Sequence, residues 1–132
     1  MSEHALTLSV LRDRLAVCRL APLNPGESAP AWASVGDLSS ITLTEDELSV
    51  VCDEDAVPND VTSELGWRCL KAHGPFEFSM VGVLASLTAP LAAAGISVFA
   101  LSTYDTDYLL VKDEDLVHTI DVLSQRGHTI LR

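Results

Sequence analysis

Residues 95–111 read GISVFALSTYDTDYLLV, and the way this stretch divides decides the fold. Gly95 can take the left-handed backbone that closes a helix. Ile96 to Leu101 then forms a strand apolar on both faces, a turn follows around Asp105, and Tyr108 to Val111 forms a second strand of the same character. Upstream, Val83, Leu84, Leu87 and Leu91 recur at spacings of one, three and four, which predicts a helix over 82–94. Pro90 is expected to kink or split that helix, because proline removes a donor and crowds the preceding turn. Ahead of it, Phe76 to Ser79 alternates as a short half-buried strand does. Downstream, Asp113 is expected to cap a second helix whose stripe is Leu116, Val117, Ile120 and Leu123. Gly127 ends it, and His128 to Leu131 is a last strand.

The order is strand, helix, strand, strand, helix, strand. Two split β-α-β crossovers of this kind give a ferredoxin-like α+β unit: a four-stranded antiparallel sheet with both helices on one face. The chain also matches itself. At a shift of about 60 residues, SITLTEDELSVVCDEDAV from Ser40 falls on ALSTYDTDYLLVKDEDLV from Ala100, pairing Asp53 with Asp113. At one residue more, GWRCLK from Gly66 falls on GHTILR from Gly127. Several matches in one order imply duplication into two tandem βαββαβ units, residues 1–73 and 74–132. The first unit has strands near 14–20, 39–43, 48–52 and 67–71, and a weak first helix, since Pro22, Pro25, Gly26 and Pro30 crowd that region. Leu6 to Val10 precedes the repeat as an extra strand whose partner sheet is not readable. Dry faces on 96–101 point to oligomerisation.

Composition narrows the function classes. The chain of 132 residues carries a formal charge of −11 with only eight Lys and Arg residues, which argues against nucleic acid and against anionic membranes. Its apolar runs are too broken to span a bilayer, and the start lacks the basic residues of a signal peptide, so a cytoplasmic location is expected. Cys18, Cys52 and Cys69 lack CxxC spacing and read as buried thiols; the four histidines lack ligand spacing. No metal, no cofactor and no catalytic residue set is expected.

Three places merit weighing. Ser79-Met80-Val81-Gly82-Val83 opens a helix, where unpaired N–H groups and partial positive charge suit a carboxylate, although on spacing alone a plain strand-to-helix turn is the favoured reading. In the turn 102–108, Thr103, Asp105 and Asp107 share a face, yet the turn alone reads first as a hydrated hairpin. The acidic run 45–55 is accounted for by capping, with Thr44 and Glu47 spaced as a capping box.

The segments FEFSMVGVLASLTAPLAAAGISVFALSTYDTDYLLVKDEDL, from Phe76, and SSITLTEDELSVVCDEDAVP, from Ser39, resemble the ACT-domain family. They look most like the CASTOR-like branch shared by cytosolic arginine sensors of animals and a group of small bacterial proteins. The resemblance implies a non-catalytic regulator that binds an amino acid where two units meet. It assigns Ser79, Met80, Val81, Gly82 and Val83 to the loop cradling the ligand, and Thr103, Tyr104, Asp105, Thr106 and Asp107 to the turn touching it. This shifts the turn 103–107 towards binding. The first unit departs from the pattern, with Leu43-Thr44-Glu45-Asp46-Glu47 at the turn and no glycine in Leu20-Ala21-Pro22. The animal sensors have four units against two here, so a homodimer is implied and arginine specificity is not. A ligand-free module that recruits a protein partner is the alternative.

Overall fold

The computed structural model describes residues 5–73 and 82–132; the expected strand at Phe76 to Ser79 lies outside them. Eight strands and two helices are present among the described residues: β1 (Thr7–Val10), β2 (Leu15–Leu20), β3 (Ser40–Leu43), β4 (Leu48–Asp53), β5 (Thr62–Ala72), α1 (Val83–Ala93), β6 (Phe99–Ser102), β7 (Asp107–Lys112), α2 (Leu116–Gln125) and β8 (Thr129–Leu131). The chain is α+β and forms two compact units, residues 13–67 and residues 1–12 with 68–132. The long strand β5 contributes its first part to one and its second part to the other. These compact units do not coincide with the sequence repeats at 1–73 and 74–132, because residues 1–12 pack with the C-terminal part.

In the unit 13–67 the strands run β3-β4-β2-β5, all antiparallel. This is the sheet of a ferredoxin-like unit with its helices worn away. Where the first helix was expected there is one 3-10 turn, Ala31–Ser34, and a second such turn, Glu54–Ala56, follows β4. The prolines explain the loss, since each removes a helical donor. Trp32 and Ala33 of the first turn still pack on the buried face of Ala16, Cys18, Leu48, Val50 and Cys52.

In the C-terminal unit, β6 pairs β7, β7 pairs β5, β5 pairs β1, and β1 pairs β8. The extra N-terminal strand therefore takes β5 on one side and β8 on the other. Its pairing with β8 is parallel, with Leu8 opposite Ile130, which corrects the expectation of purely antiparallel sheets. Leu8, Leu70, Ala72, Leu109 and Val111 project one residue in two from β1, β5 and β7, and Leu87, Leu91 and Leu123 of the two helices close over them. Both helices thus cover one face. On α2 the core positions are Leu116, Thr119 and Leu123, at helical spacing, whereas Val117 is 63% exposed and stands off the expected stripe. On β6, which pairs only with β7 among the described residues, Phe99 and Leu101 are half-buried and Ala100 on the other face is exposed, so neither expected dry face is fully dry.

The hairpins define the true register of the repeat. Leu43 pairs Leu48 as Ser102 pairs Asp107, and Thr44 N–H donates to the Glu47 carbonyl as Thr103 N–H does to that of Thr106. These correspondences hold at a shift of 59, not 60. A one-residue slip on a strand exchanges faces, so Asp53 and Asp113 are not equivalents. Asp53 accepts from the Asp55 N–H and caps the turn 54–56. The N-cap of the turn 113–115 is Lys112, and Asp113, one residue past it, pairs with Arg68 at 3.1 Å. Thr44 is likewise a hairpin residue, its Oγ1 accepting from the Asp46 and Glu47 N–H groups, and not half of a helical capping box.

Helix α1 passes through Pro90 unbroken. Proline cannot donate to the carbonyl four residues back, which leaves the Ser86 oxygen without its helical partner. His128 supplies the replacement. The Leu6 N–H donates to His128 Nδ1 at 3.1 Å, and since a backbone amide can only donate, Nδ1 is the acceptor and Nε2 carries the proton. That Nε2–H donates to the Ser86 carbonyl at 3.2 Å. The ring is 4% exposed, so this neutral tautomer joins β1, α1 and β8 from inside. Gly95, with φ of 77°, then stops the helix as expected.

Replacing His128 with Ala orphans a backbone donor and an acceptor, and is expected to lower stability by about 2 kcal/mol or more. Pro90→Ala restores a donor to Ser86. In urea denaturation, it should therefore stabilise the His128→Ala background by about 1 kcal/mol more than the wild type.

Candidate ligand site at the head of α1

The expected site has two halves. Of the loop, Ser79, Met80 and Val81 lie outside the described residues, and Gly82 and Val83 are described. Gly82 is the N-cap of α1, with φ of 83° and ψ of 2°, a left-handed backbone that side-chain-bearing residues adopt only with strain. The cap has no side-chain hydrogen bond, and the first turn holds no acidic residue. The helical ladder begins with the Ser86 N–H donating to the Gly82 carbonyl at 2.9 Å, so the amides of Val83, Leu84 and Ala85 have no partner within the helix. Gly82 is exposed, while Val83, 6% exposed, turns its side chain inward and leaves the backbone amide as its usable group. An uncapped helix start of eleven residues presents a partial positive charge to an anion.

The other half is the β6–β7 turn. Thr103 closes it: its N–H donates to the Thr106 carbonyl at 2.8 Å, and its hydroxyl to the same oxygen at 3.3 Å. Tyr104 is 77% exposed and Asp105 is exposed, while Thr106 and Asp107 are half-buried. The Ser102 hydroxyl donates to Asp107 Oδ1 at 2.6 Å, which orients the carboxylate and leaves its other oxygen for a cation. Sequence reasoning missed Ser102. The available signal was its place as the last residue of β6, directly opposite the first residue of β7.

Within this unit the two halves lie towards the same end of the sheet. His128 ties the first turn of α1 to Leu6, at the start of β1. The opposite end is marked by Leu11 and Arg68, since Arg68 Nη2 donates to the Leu11 carbonyl and Nη1 bonds Asp113, just past the far end of β7. The turn 103–106 therefore lies six residues away along β7, about 20 Å from Asp113. It sits at the α1 end.

Nothing at this site or elsewhere supplies an activated thiol. Burial raises the thiol pKa of Cys18, pushes Cys52 up to about 11 and Cys69 up to about 12. Among the described residues, no three His, Cys, Asp or Glu side chains stand where they could share a metal ion. No described helix is long and apolar enough to cross a membrane.

The described elements define a mixed α+β fold of the ferredoxin-like type. The chain belongs to the ACT-domain family: the family model matches residues 62–125, and a second model, for an N-terminal domain, matches residues 13–60. It is 32% identical over 126 residues to the human cytosolic arginine sensor for mTORC1 subunit 1, and 31% to that of Bos taurus. That alignment takes in 89% of this chain, which spans 38% of the length of the sensor. A crystal structure from Agobacterium tumefaciens is 42% identical and superposes with a TM-score of 0.87 over 96% of this chain and 92% of that one. The regulatory subunit of aspartate kinase from Thermus thermophilus shares the fold at 12% identity, with a TM-score of 0.62 over 89% of this chain and 96% of that one.

The raised pKa values mean that, below about pH 10, Cys52 and Cys69 are protonated and unreactive in the native state. A disulfide exchange reagent at pH 8 is expected to label these thiols slowly in buffer and rapidly in guanidinium chloride. Fast labelling of the folded protein would show that the thiols are open to solvent.

Proposed function

We propose that this protein is a non-catalytic regulator that binds an amino acid where ACT units meet, as the duplicated repeats 1–73 and 74–132 and a homodimer of them would allow. The observation carrying this reading is the uncapped start of α1, free of acidic side chains, at the same end of the sheet as Asp105 and Asp107. A zwitterion needs both signs of partner. Backbone amides at Gly82 and Val83 suit its carboxylate, with Ser79, Met80 and Val81 completing the loop. Asp107, steadied by Ser102, suits its ammonium or a cationic side chain, with Asp105 at the mouth of the turn. Thr103 and Thr106 hold the turn's shape, and Tyr104 offers an exposed ring to whatever closes the site. The similarity to an arginine sensor supports an amino acid as ligand class.

Charge-assisted hydrogen bonds contribute about 1.5–3 kcal/mol each and a helix start about 0.3–1, which after ordering costs leaves a Kd between about 1 mM and 1 µM. Such an affinity suits a reporter of metabolite level. Occupancy changes what the protein does by favouring one packing of the units over another, and thereby its contact with a regulated protein partner. Calorimetric titration with each common amino acid is expected to find at least one binder in that range, weakened about tenfold or more by Asp107→Ala. Silence from all of them would overturn the proposal and leave a module that only recruits a protein.

A further inference from the structure

At the other end of the C-terminal unit lies a cavity of about 290 Å³ whose wall includes Leu11, Arg12, Arg68, Leu116, Val117 and Arg132. Three of the eight basic residues of a chain with a formal charge of −11 therefore meet at one hollow. Mutual repulsion among guanidinium groups, which stay charged at any physiological pH, disfavours such a gathering unless something negative rewards it. Asp113 offsets one of the three charges, through its 3.1 Å bond to Arg68 Nη1. Among the described residues, Arg12 and Arg132 have no ion-pair partner. Arg68 is fixed from two sides, by Asp113 and by the Leu11 carbonyl, yet its Nε–H is buried and makes no hydrogen bond. A guanidinium fixed from two sides at the cavity wall is preorganised for an oxyanion.

The rest of the wall is apolar. Leu11 and Leu116 are half-buried, and Val117, which the core of α2 does not use, is 63% exposed. We propose that this cavity is a second binding site, separate from the loop and turn at the head of α1, for a small aliphatic carboxylate that lacks an ammonium group. The guanidinium groups take the carboxylate, and Leu11, Leu116 and Val117 take the aliphatic body. An amino group would be repelled by the same charges, which sets this ligand class apart from a zwitterion. The volume lies just below the range of roughly 300–1,000 Å³ typical of ligand pockets, which limits the body to a short chain.

The test is a methyl NMR titration of the full chain with 4-methyl-2-oxopentanoate, with leucine and with inorganic phosphate. The methyls of Leu11, Leu116 and Val117 report on this cavity, about 20 Å from the turn 103–106. The 2-oxo acid is expected to shift them saturably below about 10 mM, with leucine about tenfold weaker or more at the same methyls. Both R12Q/R132Q, which changes two exposed side chains, and Val117→Ser are expected to weaken the 2-oxo acid, the former about tenfold, while leaving any amino-acid binding at Asp107 intact. The proposal is overturned if the shifts fail to saturate, if R12Q/R132Q binds as wild type does, or if leucine binds equally well. Phosphate matching the 2-oxo acid, with Val117→Ser having no effect, would mark an adventitious ion only and overturn it too.

Discussion

A neutral histidine holds the C-terminal unit together. His128 takes a hydrogen bond from the start of β1 and gives one to the carbonyl that Pro90 leaves bare in α1. Both partners are backbone groups and the ring between them is 4% exposed, so losing the ring strips each of its hydrogen bond inside the unit. The arrangement explains how a proline survives inside a helix of eleven residues without breaking it. It also fixes where the helix begins. The first turn of α1 is docked at the start of β1 through Ser86, four residues from Gly82, so the helix start is held relative to the sheet. An anion site built on backbone N–H groups is only as well ordered as the helix that carries them.

The two repeats have diverged along a consistent line. Each keeps a β-hairpin closed by a threonine, and the burial patterns of β4 and β7 agree almost position for position. The N-terminal copy replaces its helices with single 3-10 turns and presents no helix start at all. Amide donors for an anion therefore reside in the C-terminal copy, where the acidic turn also lies.

Local features were legible in the sequence. The hairpin 95–111, the helix stops at Gly95 and Gly127, and the weakness of the first helix beneath Pro22, Pro25 and Pro30, which in the fold goes as far as its loss, all follow from backbone preferences that each residue carries with it. What eluded reading depends on partners distant in the chain. Nothing in Leu6 to Val10 says that it inserts between β5 and β8. The expected break at Pro90 is prevented by a residue 38 positions later. Asp113 looks like a cap and is taken by Arg68, whose position opposite it exists only in the folded sheet. The shift of 60 instead of 59 arose because similar acidic runs follow both hairpins one residue out of step. Of the candidate site, the residue types were readable, whereas the Ser102–Asp107 bond required knowing the strand register.

The link from β1 to α1 requires His128 to be neutral, protonated on Nε2, and bonded at Nδ1. A nitrogen-15 NMR measurement of the scalar coupling across the Leu6 N–H to His128 Nδ1 hydrogen bond tests this directly. A resolved coupling, together with a proton on Nε2 alone, is expected. A proton found on Nδ1, with no coupling to Leu6, would contradict it.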